Sequence, residues 1–252
     1  MGRGVSSVSS LPPVTNAVTP PTPQQVAKGD VLPKGGVAFS KFEQMTDDEK
    51  ADVIDSALST GVPMFLDDSG MQRFAYFTGM SDKPTVVSDS SLDGMQGEEI
   101  FRTVNDTYNS NKDIAYTSRD IADQIMHGDF TMYSDSGGSA YGRAIYFANN
   151  YNDSSWYGNS NKNPVTIRAK LSGKKISYSQ ANNDYRTAYS SGDKLAVACS
   201  KAGGRDAANL YALARGYDYT YDSTGSYRMV LNRRCLNVSS TVKSTIMGGM
   251  NW

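Results

Sequence analysis

The chain is expected to fold as an α+β domain, and three features of the sequence predict it. Val165, Ile167, Ala169 and Leu171 alternate with Thr166, Arg168 and Lys170, the period-two pattern of a half-buried strand, and Pro164 stands at its start. Two further short runs rich in β-branched and aromatic residues, Ile100 to Val104 and Tyr227 to Leu231, read as strands, with Leu236 to Val242 as another candidate. The helical segments between them are short, and no strand-helix-strand unit recurs, which argues against a parallel doubly wound sheet.

In chain order, residues 1–38 form a Pro/Ser/Thr-rich arm, 39–81 a helical lead-in and 82–252 the main domain. The arm carries Pro12, Pro13, Pro20, Pro21, Pro23 and Pro33 with hardly an aromatic to anchor it. Such a composition does not offset the entropy of ordering a backbone, so the arm is expected to be extended and to become ordered only against a partner. Thr46 followed by Glu49 is a capping box, and Val53, Ile54, Ala57 and Leu58 behind it repeat at helical spacing up to Gly61 and Pro63. A second helix is expected from about Asp67 or Asp68 through Met71, Phe74, Ala75 and Phe77 to Gly79, with its aromatics in the core. Beyond Pro84, Val86 and Val87 begin an extended run. Arg102 lies inside the strand Ile100 to Val104, where an arginine is costly unless it is paired or faces a ligand. A helix carrying Ile114, Ile121, Ala122 and Ile125 follows, then a loop rich in Gly, Ser and Asp up to Gly138. That loop does not open a helix in the phosphate-loop pattern. Ala207 to Arg215 is a small helix with Ala208, Leu210, Tyr211 and Leu213, ended by Gly216.

The bulk composition narrows the function classes. A net charge of -1 gives no general attraction to nucleic acid or an anionic membrane. Cys199 and Cys235 read as buried thiols in a reducing compartment, and their spacing offers no metal site. The single histidine, His127, reads as a structural residue near a helix end, so no metal is expected. No apolar run approaches a membrane span and no signal-peptide core is visible, so a soluble, cytoplasmic protein is expected.

The stretch from Ser139 to Tyr157, SAYGRAIYFANNYNDSSWY, concentrates aromatics in an otherwise polar chain. Within it Tyr141, Gly142, Arg143, Ala144, Ile145, Tyr146, Phe147 and Ala148 resemble the central strand signature of the ADP-ribosyltransferase fold, in its diphtheria-toxin and poly(ADP-ribose) polymerase branch. Ala144 replaces a glycine of that signature. Read on without gaps, Ser154 falls where that branch places a nicotinamide-binding serine, and Tyr157 where it places the aromatic that stacks on the ring. Arg102 and Thr103 lie where the fold puts its first NAD-binding motif. Gly216, Tyr217 and Asp218, followed by the strand Tyr227 to Asn232 and Arg233, are similar to the C-terminal segment of transferase-like domains encoded by bacteriophages. The resemblance covers roughly Asp82 to Val242 and leaves the arm and first helix outside it.

The resemblance implies a split antiparallel β-sheet core and an NAD+ pocket lined by Arg102, Thr103, Tyr141, Gly142, Tyr146, Phe147, Ser154 and Tyr157. It also implies one departure. The family's catalytic glutamate belongs on or just before the last strand, but no glutamate follows Glu99, and the slot falls on or near Ser226. Asp222, a few residues earlier, or Asn232, at the far end of the strand, could take that place beside Arg102 and Tyr146. Transfer of ADP-ribose passes through an oxocarbenium-like state. An aromatic box directs strain at the glycosidic bond, an arginine neutralises pyrophosphate, and a carboxylate stabilises the positive charge. The expected function is therefore a phage-type glycosyltransferase that uses NAD+ as substrate to modify a host protein or nucleic acid, in the host cytoplasm or carried in the virion. Two rivals are a catalytically inactive member of the fold docked through its arm onto a phage particle, and an NAD-hydrolysing toxin. Trp156 reads as core or rim.

Overall fold

The computed structural model describes residues 42–59, 84–109, 114–127 and 144–245. The arm, the helix expected near 67–79, the loop up to Gly138, and Tyr141 and Gly142 lie outside them.

The first helix, α1 (Asp47–Ser59), starts where its capping box dictates: the Glu49 amide donates to Thr46 Oγ1 at 3.3 Å, and the Thr46 amide donates back to Glu49 Oε2 at 2.8 Å. Its Ala51 and Ile54, with Phe42 just before it, belong to the same core as the rest of the molecule. Lys50 fixes its docking. The ammonium donates to the carbonyl of Ala214 at 2.7 Å, at the end of the helix Ala207–Ala214, where the helix dipole favours a cation.

The main domain is mixed α+β, built on one large sheet. Its strands are β1 (Thr85–Val87), β2 (Glu98–Val104), β5 (Ile145–Ala148), β6 (Val165–Leu171), β7 (Lys175–Ser177), β8 (Tyr219–Tyr221), β9 (Tyr227–Val230) and β10 (Leu236–Ser239), with β11 (Lys243–Ser244) added against β6. A separate hairpin is formed by β3 (Thr107–Asn109) and β4 (Ile114–Tyr116). The order across the large sheet is β1-β10-β6-β2-β5-β9-β8-β7. The inner pairs are antiparallel, whereas the outermost pairs, β1 with β10 and β7 with β8, are parallel.

A fork divides this sheet. β2 pairs with β6 along its whole length, from Glu98 opposite Leu171 to Val104 opposite Val165, yet it meets β5 at Phe101 opposite Ala148 alone. Beyond that pair the two strands diverge. The period-two reading of β6 holds, since Val165, Ile167, Ala169 and Leu171 are all core residues.

The helices are α2 (Asp89–Asp93), α3 (Ser118–Met126), α4 (Tyr151–Ser155), α5 (Tyr178–Ser190), α6 (Lys194–Gly203) and α7 (Ala207–Ala214). α1 packs on α6, and α5, α6 and α7 pack on one another. Four elements depart from the sequence reading. Ile114 belongs to β4 rather than to the helix, because Thr117 and Asp120 form a capping box that starts α3 at Ser118. α5 and α6 carry no expectation from the sequence: α5 buries only Ala181, and α6 buries small residues apart from Leu195, so neither shows a large apolar stripe. The run Leu236 to Val242 is a strand only over Leu236–Ser239, and β11 begins beyond it at Lys243. His127 is the C-cap of α3, as its sequence position suggests.

Gly97 is required where the chain enters β2. Its φ is +131°, and a Cβ there would lie 2.7 Å from the carbonyl oxygen of Leu171, an immovable backbone atom. Gly97→Ala is expected to destabilise the fold by about 2–3 kcal/mol, read as a shift of the urea midpoint.

Candidate functional site

The fork is where most of the motif residues meet. Side chains alternate along a strand, and residues opposite one another share a face. Thr103 lies opposite Thr166, and their hydroxyls are 2.8 Å apart. Phe101 lies opposite Ala148, so Phe101, Thr103, Tyr146 and Ala148 belong to one face. Ser154, on the short helix that follows β5, reaches that face: its hydroxyl is 3.0 Å from that of Thr103 and the residue is only 1 % exposed. Thr166 in turn meets the Thr245 hydroxyl at 2.7 Å, so four hydroxyls run in a line from α4 to the segment after β11. Asn150 caps α4 by accepting from the Asp153 amide at 2.8 Å, which fixes Ser154 in a helical turn aimed at β2.

Tyr157 follows directly. It is 58 % exposed, and Trp156 beside it is 79 % exposed, so Trp156 is a rim residue rather than core. Asn105, at the end of β2, holds this loop from both sides: Nδ2 donates to the Tyr157 carbonyl at 2.7 Å and Oδ1 accepts from the Asn159 amide at 2.7 Å. The Tyr157 ring packs edge to face with Tyr227, centroids 6.1 Å apart, and its hydroxyl donates to the Tyr227 hydroxyl at 3.0 Å. The contact with Tyr157 and partial burial push the Tyr227 phenol up to about 12.

Arg102 occupies the other face of β2. It lies opposite Ile167 between Ile100 and Val104, and its Nη1 crosses the fork to donate to the carbonyl of Tyr146 at 2.7 Å. This bond joins the two parts of the sheet where the strand ladder has stopped. Arg102 and Tyr146 are therefore in contact through the backbone, while their side chains leave the sheet on opposite faces. Phe147 shares the core face with Ile145 and is a core residue.

The turn before β9 holds Ser226, at or near the position where the resemblance would place a glutamate. The Ser226 carbonyl accepts from the Asn149 amide at 2.9 Å, and Asn149 Nδ2 donates to the Gly225 carbonyl at 2.9 Å, so this turn is laced to the end of β5. Asp222 is 2 % exposed and accepts from the Tyr227 amide at 2.8 Å and from the Thr224 hydroxyl. Burial would raise its carboxyl, but the Thr224 hydroxyl and the Tyr227 and Thr224 amides outweigh it and hold the group below the ordinary aspartate range. Asp222 thus sits beside the Tyr157–Tyr227 pair but directs its oxygens into its own turn.

Asn232 is elsewhere. Its Nδ2 donates to Asp218 at 2.9 Å and its Oδ1 accepts from the Arg234 amide at 3.2 Å, at the opposite end of β9. Five residues of extended chain separate it from Tyr227, roughly 17 Å. The structure therefore brings Thr103, Ser154, Tyr157 and Asp222 to one end of the fork, with Tyr146 on the same face; it leaves Asn232 away from them and puts the Arg102 side chain on the opposite face from these groups, not lining the expected pocket.

Three participants escape the sequence reading: Tyr227, Asn105 and Thr166. The signal for Asn105 was its place straight after a strand; for Tyr227, its place straight after Ser226. Cys199 and Cys235 are both free and buried, and burial pushes both thiols up. Among the described residues, no group of three or more His, Cys, Asp or Glu side chains could hold a metal ion, and no helix is long and apolar enough to cross a membrane. No family model, curated protein or solved structure matches the chain.

Proposed function

We propose that this protein is a phage-type ADP-ribosyltransferase that binds NAD+ at the fork and transfers ADP-ribose to a host protein or nucleic acid. The observation that carries the reading is the meeting of Thr103 and Ser154 hydroxyls, 3.0 Å apart, with the exposed ring of Tyr157 alongside. These residues lie 51 positions apart in sequence; the resemblance assigns Ser154 to nicotinamide and places Thr103 in the first NAD-binding motif. In this reading the nicotinamide stacks on Tyr157, with Tyr146 from β5 on its other side, and its amide displaces the Thr103–Ser154 contact to bond those hydroxyls. Arg102 acts by holding the Tyr146 carbonyl, which sets the distance between β5 and β2. In the reaction the bond between nicotinamide nitrogen and C1 of ribose breaks, with the electron pair leaving on nicotinamide. A nucleophile of the acceptor then bonds C1 and loses its proton. The arm of residues 1–38 would dock on a phage particle, so that the enzyme is carried in the virion and acts in the host cytoplasm.

Specific observations favour a second reading, a binding fold without transfer. Ser226 stands in the glutamate slot, and Asp222 spends its oxygens within its own turn. Incubation with labelled NAD+ and bacterial lysate separates the two. The first reading expects label transfer by the wild-type chain, reduced more than about tenfold by Tyr157→Ala or Tyr146→Ala. Transfer that neither substitution reduces contradicts this pocket. Absence of both transfer and nicotinamide release selects the second reading.

A further inference from the structure

We propose that Tyr227 is a positioning residue that fixes the orientation of the Tyr157 ring. Tyr157 lies in a loop after a helix of only five residues, and its ring is largely open to solvent. Its backbone is tied down by Asn105 and by its own amide, which donates to the Ser154 carbonyl at 3.1 Å. Those bonds set where the residue starts but leave rotation about its side-chain bonds free. The ring and hydroxyl contacts that restrict that rotation are both with Tyr227.

Tyr227 is suited to this because it belongs to the sheet. It stands opposite Ala148 in the β5–β9 pair, and its amide is held by Asp222. Two contacts at different points, ring edge and hydroxyl, define an orientation where one would leave a hinge. The geometry leaves the Tyr157 ring mostly accessible, so it is held without being covered. The phenol of Tyr227 stays protonated at physiological pH, which keeps the hydroxyl pair intact. The functional consequence, a stacking ring presented at a fixed angle, rests on the nicotinamide reading above; the positioning itself does not.

Tyr227→Phe in the full chain keeps the ring and removes the hydroxyl contact. The expected result is faster reorientation of the Tyr157 ring in aromatic 13C relaxation, by on the order of tenfold, with little change in the urea midpoint. NAD+ affinity is expected to fall about 3–10-fold in the wild-type background and not at all in a Tyr157→Ala background. A Tyr157 ring whose relaxation is unchanged in both Tyr227→Phe and Tyr227→Ala overturns the proposal. An equal affinity loss with and without Tyr157 also overturns it, because Tyr227 would then act on the ligand directly. A loosened ring combined with no NAD+ binding by any variant supports the positioning and removes the nicotinamide reading instead.

Discussion

Ser226→Glu is expected to raise nicotinamide release from NAD+ by about a hundredfold over the wild-type chain. The resemblance places the fold's catalytic glutamate at or near this residue, and a preorganised charge that stabilises a developing cation is worth on the order of a hundredfold or more in rate. The position can accept the change. Ser226 is partly exposed, and its turn is held by backbone bonds, with its carbonyl on the Asn149 amide and the neighbouring Gly225 carbonyl on the Asn149 side chain. Ser226 immediately precedes Tyr227, whose ring packs on Tyr157. The check is the initial rate of nicotinamide release at saturating NAD+. A variant that binds NAD+ as the wild type does, yet releases nicotinamide no faster, would show that this turn does not face the ribose.

Arg233→Ala is expected to cost about 3–5 kcal/mol of stability. Arg233 is the largest fully buried side chain among the described residues, at 0 % exposure. Its Nη1 donates to the carbonyls of Gln124 and Ile125 at 3.3 and 3.2 Å, in the last turn of α3, where the helix dipole favours a cation. Truncation removes bonds from a charged donor, strands the buried Ile125 carbonyl and leaves a cavity the size of a guanidinium. Arg233→Met fills much of the volume and should recover only the packing part, about 1–2 kcal/mol. Urea midpoints of the three chains measure this directly. A cost below about 1 kcal/mol for the alanine would mean that α3 is held by its Ile121, Ala122 and Ile125 face alone.

The sequence made visible the parts of the fold whose signal is local. The Thr46–Glu49 box placed the start of α1, and the alternation from Val165 to Leu171 placed β6. α5 was invisible because its sequence is polar on nearly every face, and tertiary packing rather than periodicity makes it a helix. Ile114 misled because an apolar residue seven positions before Ile121 fits a helical repeat, and only the Thr117 cap decides otherwise. The parallel pairs at the sheet edges depend on which strands become neighbours, which no single strand encodes.

The candidate site was legible to the extent that spacing could carry it. Fixed distances along the chain put Ser154 and Tyr157 together, and Thr103, also expected there, meets Ser154 through the sheet register. Arg102 was legible as an arginine needing a partner, but its partner is a carbonyl exposed by the divergence of two strands, a feature without any residue signature. Asp222 and Asn232 looked equivalent in sequence. β9 runs between them, with Asp222 before its start and Asn232 beyond its end, and only Asp222 stays near Tyr157.

The central claim is that NAD+ binds at the fork, on the face shared by Thr103, Ser154 and Tyr157. Amide chemical-shift mapping of the full chain during NAD+ titration tests it most directly. The largest shifts are expected at Thr103, Tyr146, Ser154, Tyr157 and Tyr227, with Asp218 and Asn232 unmoved; no shifts at millimolar NAD+, or shifts centred on Asp218 and Asn232, would rule out binding at the fork.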